Sequence, residues 1–181
     1  LSTKAKFVFI GAGGGSLPLL QKSGVKESKG FGGFPIGGQW LICDKPEIVN
    51  KHLAKVYGLS PGAAPTMAVP HLDTRIIDGK KSILFGPYAA WTSKFLHVEG
   101  KLTDLPCSIR TDNIASLIKV GLYNIPLVRY LIQQGTQSMK TRMKELKAFF
   151  PDAREEDWRL IDAGIRVQAI KKEDGDAGIV H

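Results

Sequence analysis

The chain has 181 residues, 43% of them hydrophobic and 23% charged, a globular composition with enough mass for a sizeable core. No apolar run approaches the ~18–20 residues a membrane span needs, and the short run behind Lys4 and Lys6 ends in glycines, unlike a signal peptide. Cys43 and Cys107 stand far apart outside any CxxC spacing, which offers no zinc site or disulfide framework and points to a reducing compartment. The net charge of +8 favours anionic partners without choosing among a dicarboxylate, a phosphate, nucleic acid and a lipid surface. Residue 1 is Leu, so the chain reads as a piece of a longer protein.

Residues 6–10 (KFVFI) form a β-type run of the kind buried on both faces. They enter a glycine turn, residues 11–16, that opens a short helix at residues 17–20. In such a geometry bare backbone N–H groups can approach a phosphate. Ser16 replaces the third glycine of GxGxxG, and no acid follows ~20 residues on, so the dinucleotide fingerprint is incomplete. A close-approach turn against a cofactor and a tight turn between packed elements both stay open.

Residues 29–38 (KGFGGFPIGG) read as a crossing between layers or domains, and residues 39–43 as a short strand. Asp44, Pro46 and Glu47 supply helix-start chemistry, Ile48, Val49, Leu53 and Val56 a buried stripe, and Gly58 a stop. His52 falls on the polar side of that helix and is expected to be solvated. A loop at residues 60–65 leads into the stretch 67–87, where Val69, His71, Asp73, Arg75 and Ile77 share one face of a strand. Asp78-Gly79 is a strong hairpin turn, and a return strand runs to Gly86-Pro87. Residues 88–95 continue as strand or loop, with Trp91 as a core or pocket-wall residue.

Residues 113–134 are mainly helical, capped by Thr111 or Asp112 and kinked or broken at Pro126. Ile114, Leu117, Ile118, Leu122, Ile125, Val128 and Ile132 form the inner face, widened by Val120, Leu127 and Leu131, with contact to lipid as the alternative. A second helix, residues 136–150, turns Met139, Met143, Leu146 and Phe150 inward and Lys140, Arg142, Lys144 and Lys147 outward. The basic face reads as solvated, with membrane or nucleic-acid binding as the alternative. A capping box at Asp152 and Glu155 opens a third, short helix carrying Trp158 and Ile161. Residues 163–170 are a strand, and residues 171–178 a polar hairpin-like turn.

His71 and Arg75 lie four residues apart on one strand face, ~13 Å between Cα atoms. A four-carbon acid fits between them, with Arg75 on a carboxylate and His71 near the reacting carbon. Arg166 sits inside an apolar strand, where a buried guanidinium needs an anion, either a structural or a substrate carboxylate. No nucleophile motif, paired carboxylates or metal-type spacing is present. These parts allow acid–base chemistry with a redox cofactor.

The segments FVFIGAGGGSLPLLQKSGV, GGFPIGGQWLIC, HLDTRIIDGKKSILFGPYA and DAGIRVQAI together resemble the central and C-terminal part of malate:quinone oxidoreductase. That family is FAD-dependent, peripheral to the membrane and related to the D-amino-acid-oxidase-like flavoproteins. The pattern from His71 to Pro87 is also similar to a segment of L-2-hydroxyglutarate dehydrogenases. The resemblance implies an α+β fold with a mixed or antiparallel sheet and flanking helices, the substrate domain of a two-domain FAD enzyme plus a strand–turn–helix of its FAD domain. It assigns residues 1–28 to the FAD domain, 29–162 to the substrate domain and 163–181 to a strand returning towards the flavin.

It further implies (S)-malate oxidised to oxaloacetate, FAD as cofactor, a membrane quinone as acceptor and no nucleic acid. Location would be cytoplasmic, at the inner face of the cell membrane. His71 is implied as the base and Arg166 as the substrate-carboxylate contact, with Val167 where the wider group has Pro. Arg75 would meet the second carboxylate, and Gly11, Ala12 and Gly13 would lie against FAD. A GxGxxG with its ribose-binding acid is absent from this sequence, so the chain alone is expected neither to hold FAD tightly nor to turn over malate. Oxidation of another 2-hydroxy or amino acid, or a non-catalytic basic module, is the alternative.

Overall fold

The computed structural model describes residues 2–59, 69–173 and 176–179; Met67 and Ala68, at the start of the stretch 67–87, lie outside the described residues. Six strands form one sheet: β1 (Phe31–Cys43), β2 (Lys55–Tyr57), β3 (His71–Ile77), β4 (Lys80–Trp91), β5 (Arg159–Glu173) and β6 (Asp176–Ile179). Their order is β2-β3-β4-β1-β5-β6, and the β2–β3, β3–β4 and β5–β6 pairs are antiparallel. The helices are α1 (Ser16–Lys22), α2 (Pro46–Val49), α3 (Asp104–Ser108), α4 (Ile114–Tyr123), α5 (Ile125–Gly135) and α6 (Met139–Lys147). The α+β class is therefore observed. Among the described residues no single helix is long and apolar enough to cross a membrane.

The chain divides into two compact units. One comprises Leu1–Ile36, Thr92–Ile125 and Ile165–His181, the other Gly37–Trp91 and Pro126–Gly164. In the second unit the β3–β4 hairpin closes on Asp78 and Gly79, both at positive φ (52° and 75°), the conformation the Asp-Gly pair was expected to adopt. One side of this hairpin is core: Leu72, Ile83 and Phe85 pack with Leu41, Cys43, Val49, Tyr88, Met143, Leu146 and Trp158. Full burial of one such aliphatic or aromatic side chain is worth about 1.5–3 kcal/mol, so this cluster holds the register of the hairpin.

Several sequence expectations are corrected here. The glycine-rich run at residues 29–38 does hold a boundary between two compact units, between Ile36 and Gly37, but it crosses as strand β1. Its glycines are spaces for neighbours: a Cβ at Gly33 would lie 2.7 Å from Val167 and 3.2 Å from Phe95. The helix expected from Asp44 onward is a single turn, because Asp44 is drawn 3.1 Å from Arg159 and residues 55–57 pair with β3. His52 is half-buried, its carbonyl accepting from Thr74 Oγ1 at 2.6 Å. The third helix is only a 3-10 turn, Glu155–Asp157, since β5 begins at Arg159. Trp91, at the end of β4, is 54% exposed.

The expected inner face of α6 holds except at Arg142, and that of α4 holds only in part. In α6 the buried positions are Arg142, Met143 and Leu146, with Met139 packed beside them. That spacing of i, i+3, i+4 and i+7 puts Arg142 on the inner face despite its charge. Only 1% exposed, Arg142 stacks 4.7 Å from the Tyr88 ring centroid and donates from Nη2 to Gln39 Oε1 (2.9 Å) and Gln134 O (3.2 Å). In α4 the inward stripe is Asn113, Ser116, Leu117 and Val120, and Ile114, Ile118 and Leu122 face outward. Asn113, not Thr111 or Asp112, is the cap residue; it is fully buried and donates to Phe31 O (3.0 Å) and Ser108 O (2.9 Å).

Residues 6–10 join no strand among those described, and Phe7, Val8 and Phe9 are exposed. A strand exists only through its ladder, and no described strand pairs with this run. After it, the glycine turn and short helix α1 form as expected.

Candidate functional site

The site is built on the hairpin face opposite the core. β3 lies between β2 and β4, with Tyr57 and Gly86 facing His71, and Lys55 and Leu84 facing Asp73. Directly opposed residues share a face, so Lys55, Tyr57, His71, Asp73 and Arg75 stand together. Leu72 points the other way, into the core.

Two aromatic rings clamp His71. Trp40 of β1 meets it edge-on at 5.0 Å between centroids, and Tyr57 lies 4.9 Å away, tilted by 33°. Gly86 makes room for the indole: a Cβ there would fall 3.2 Å from Trp40 Cε3 and 3.0 Å from Gln39 O. Its φ of 145° is in any case a glycine conformation. His71 Nδ1 lies 3.4 Å from Val69 O. A proton on Nδ1 would be donated to that carbonyl, leaving Nε2 as the basic nitrogen.

Burial lowers the His71 pKa below its ordinary 6.5; the Val69 carbonyl and Asp73 oppose this, while the Lys55 and Arg75 charges add to it. The imidazole is thus neutral at pH 7, the form a general base requires.

Asp73 is 6% exposed and holds two cations. Its Oδ2 accepts from Arg75 Nε at 2.7 Å and lies 3.5 Å from Lys55 Nζ. Burial pushes the Asp73 carboxyl up, but Arg75 and Lys55 together outweigh it and hold the pKa below the ordinary value. Arg75 also lies 5.3 Å from the Trp40 ring centroid, and Lys55 Nζ 5.1 Å from that of Tyr57. Two cations share one acid beside a neutral imidazole, so the edge carries net positive charge and can accept an anion.

His71 and Arg75 thus share a face as predicted, with Arg75 tied by Asp73 rather than standing alone. Arg166 and the turn of Gly11, Ala12 and Gly13 belong to the other compact unit. Arg166 is exposed on β5, which corrects the expectation of a buried guanidinium. In the glycine turn, Ser16 Oγ accepts from Ala12 N at 3.0 Å. Gly11 and Gly13 are exposed, and a Cβ at Gly13 would meet nothing within 4 Å. The Phe9 ring lies 3.2 Å from where a Gly11 Cβ would stand, so it is the open backbone at Gly13 that fits close approach by a flat cofactor. Gly14 serves packing instead, since its Cβ would fall 2.0 Å from Phe95 O.

Sequence reasoning missed Trp40, Tyr57 and Lys55. The signal lies in the β-forming Val56 and Tyr57 before a glycine, where the helical spacing of Leu53 and Val56 competes with it. Trp40 shows no sequence pattern that ties it to His71.

The family model described as malate:quinone oxidoreductase matches residues 1–181. A protein named probable malate:quinone oxidoreductase 2 from Pseudomonas aeruginosa is 57% identical over 98% of this chain and 35% of its own length. Proteins named probable malate:quinone oxidoreductase from Mycolicibacterium gilvum (56%; 98% of this chain and 34% of the relative) and Flavobacterium johnsoniae (54%; 97% and 35%) are similar throughout. The chain spans about a third of the length of these curated relatives.

Proposed function

The chain belongs to the malate:quinone oxidoreductase family, and we propose that it is part of an FAD-dependent enzyme that oxidises (S)-malate to oxaloacetate and passes the electrons to a membrane quinone. The observation that carries the chemistry is a neutral, ring-clamped His71 beside a cationic pair on one strand face. His71 takes the proton of the malate hydroxyl at Nε2. Trp40 and Tyr57 orient the imidazole and keep water from it. Arg166, whose guanidinium offers a planar, two-pronged grip, receives one carboxylate, and the cationic edge to which Arg75 and Lys55 belong receives the other. Gly11, Ala12 and Gly13 lie against the cofactor. FAD, when bound, supplies the acceptor for the two electrons that leave with the C2 hydrogen.

We assign residues 1–28 to the FAD domain, 29–162 to the substrate domain and 163–181 to a strand returning towards the flavin. The first compact unit is drawn differently, joining residues 1–36 and 165–181 to residues 92–125. The whole enzyme would sit peripherally at the inner, cytoplasmic face of the cell membrane, and the chain by itself would neither hold flavin tightly nor turn over malate. A yellow, active preparation of the chain alone overturns that last expectation. The central test is His71→Ala in the full-length protein: kcat/KM for malate falls by about 10²–10⁴-fold while flavin stays bound. Near-normal turnover removes His71 from the mechanism and this reading with it.

A further inference from the structure

By strand register the Lys55 backbone stands closer to His71 than that of Arg75 does. Tyr57 is directly opposite His71 in the β2–β3 ladder, and Lys55 lies two residues along β2 on the same face. Such diagonal neighbours are about 7–8 Å apart, against ~13 Å for residues four apart on one strand. The Lys55 ammonium and the His71 ring flank Tyr57, much as the Arg75 guanidinium and the His71 ring flank Trp40. A four-carbon dicarboxylate with its hydroxyl carbon at His71 therefore brings its far carboxylate to Lys55 before it reaches Arg75.

The two cations are also held differently. Arg75 is committed to Asp73 through a 2.7 Å hydrogen bond, whereas Lys55 Nζ stands 3.5 Å from the same oxygen. Lys55 can thus transfer its charge to an incoming carboxylate while Asp73 keeps Arg75 in place. Tyr57 and Asp73 hold the Lys55 pKa above its ordinary value, so the cation is present throughout the working range.

We propose that Lys55 is the specificity-determining contact for the distal carboxylate of a 2-hydroxy dicarboxylate, with Asp73 setting its position. The proposal rests on the reading of His71 as the base at the hydroxyl-bearing carbon. Its chemistry is a charge-assisted hydrogen bond, and no covalent step is involved.

The test uses the full-length protein with Lys55→Met and Lys55→Gln, checked for flavin content and thermal stability. Malate KM should rise by about 10–100-fold, the loss expected for one charge-assisted bond, with kcat within threefold. Inhibition by succinate should weaken by a similar factor, inhibition by propionate should not, and Lys55→Arg should recover most of the loss. Unchanged succinate inhibition in both variants overturns the proposal, as does equal weakening of succinate and propionate. If His71→Ala abolishes turnover while succinate inhibition ignores Lys55, only this inference fails. If His71→Ala leaves turnover intact, the functional reading fails and takes this inference with it.

Discussion

Gly86→Ala is the most informative perturbation of the site's frame. The glycine sits opposite His71, at φ 145°, a region that other residues enter only at about 1–3 kcal/mol. The added Cβ would stand 3.0 Å from Gln39 O, 3.2 Å from Tyr88 N and 3.2 Å from Trp40 Cε3. The first two are strand backbone, so the indole must move, and overpacking of this kind costs about 1–3 kcal/mol. The combined loss is about 2–5 kcal/mol. Gly79→Ala is the control: φ is 75° but nothing lies within 4 Å of its Cβ. Only the backbone cost of about 1–2 kcal/mol then applies. Both variants are made in the full-length protein and followed by urea unfolding with tryptophan fluorescence, alongside the pH profile of malate oxidation. Gly86→Ala should be clearly less stable than Gly79→Ala and should alone disturb the acid limb, because only it displaces Trp40 from His71. Stabilities within ~0.5 kcal/mol of each other, the scatter of ordinary surface changes, would refute the packing argument.

Three further outcomes follow from the same geometry. In the wild-type enzyme kcat/KM should be flat at neutral pH and fall on an acid limb whose midpoint lies below 6.5; Trp40→Leu, which opens His71 to water, should move that midpoint up towards 6.5. Arg142→Ala leaves Gln39 Oε1 and Gln134 O without their buried donor and should destabilise by about 2–5 kcal/mol in urea unfolding, with the His71 acid limb unmoved. Asp73 has a folded pKa below its unfolded value, so its ionised form adds stability above the ordinary 3.8 and loses it as pH falls through the folded value. Asp73→Asn should therefore lower Tm at neutral pH, and the gap to wild type should close in scans taken below 3.8; a gap that persists there would mean that the loss is one of packing.

The hairpin at the centre of the site was legible because every local preference in it agrees. Alternation on β3, the Asp78-Gly79 turn and a return strand all point to one register. What escaped reading were the places where one residue type hides its environment. Arg142 occupies an inward helix position by spacing, yet a charged residue in a basic run reads as outward. Ile114, Ile118 and Leu122 continue the apolar stripe but face outward, while the polar Asn113 and Ser116 join Val120 on the buried side, Asn113 spending its amide on two carbonyls. Residues 46–57 carry both capping chemistry and a helical apolar spacing at Ile48, Val49, Leu53 and Val56, yet only Pro46–Val49 is helical. Asp44 was instead taken by Arg159, a partner 115 residues away that no local pattern announces.

The same distance in sequence separates the parts of the clamp. Trp40, Tyr57, His71 and Gly86 come from four strands, and only the strand order brings them together. That order is fixed by the opposite face, where Leu41, Leu72 and Phe85 are fully buried. Because side chains alternate strictly along a strand, sliding β3 by one residue would place Leu72 among the aromatic rings and His71 in the core. The apolar cluster therefore does more than stabilise: it excludes the register in which no base faces the cationic edge. A core substitution that keeps register should lower stability while leaving the His71 acid limb where it is, and one that loosens register should lose both together.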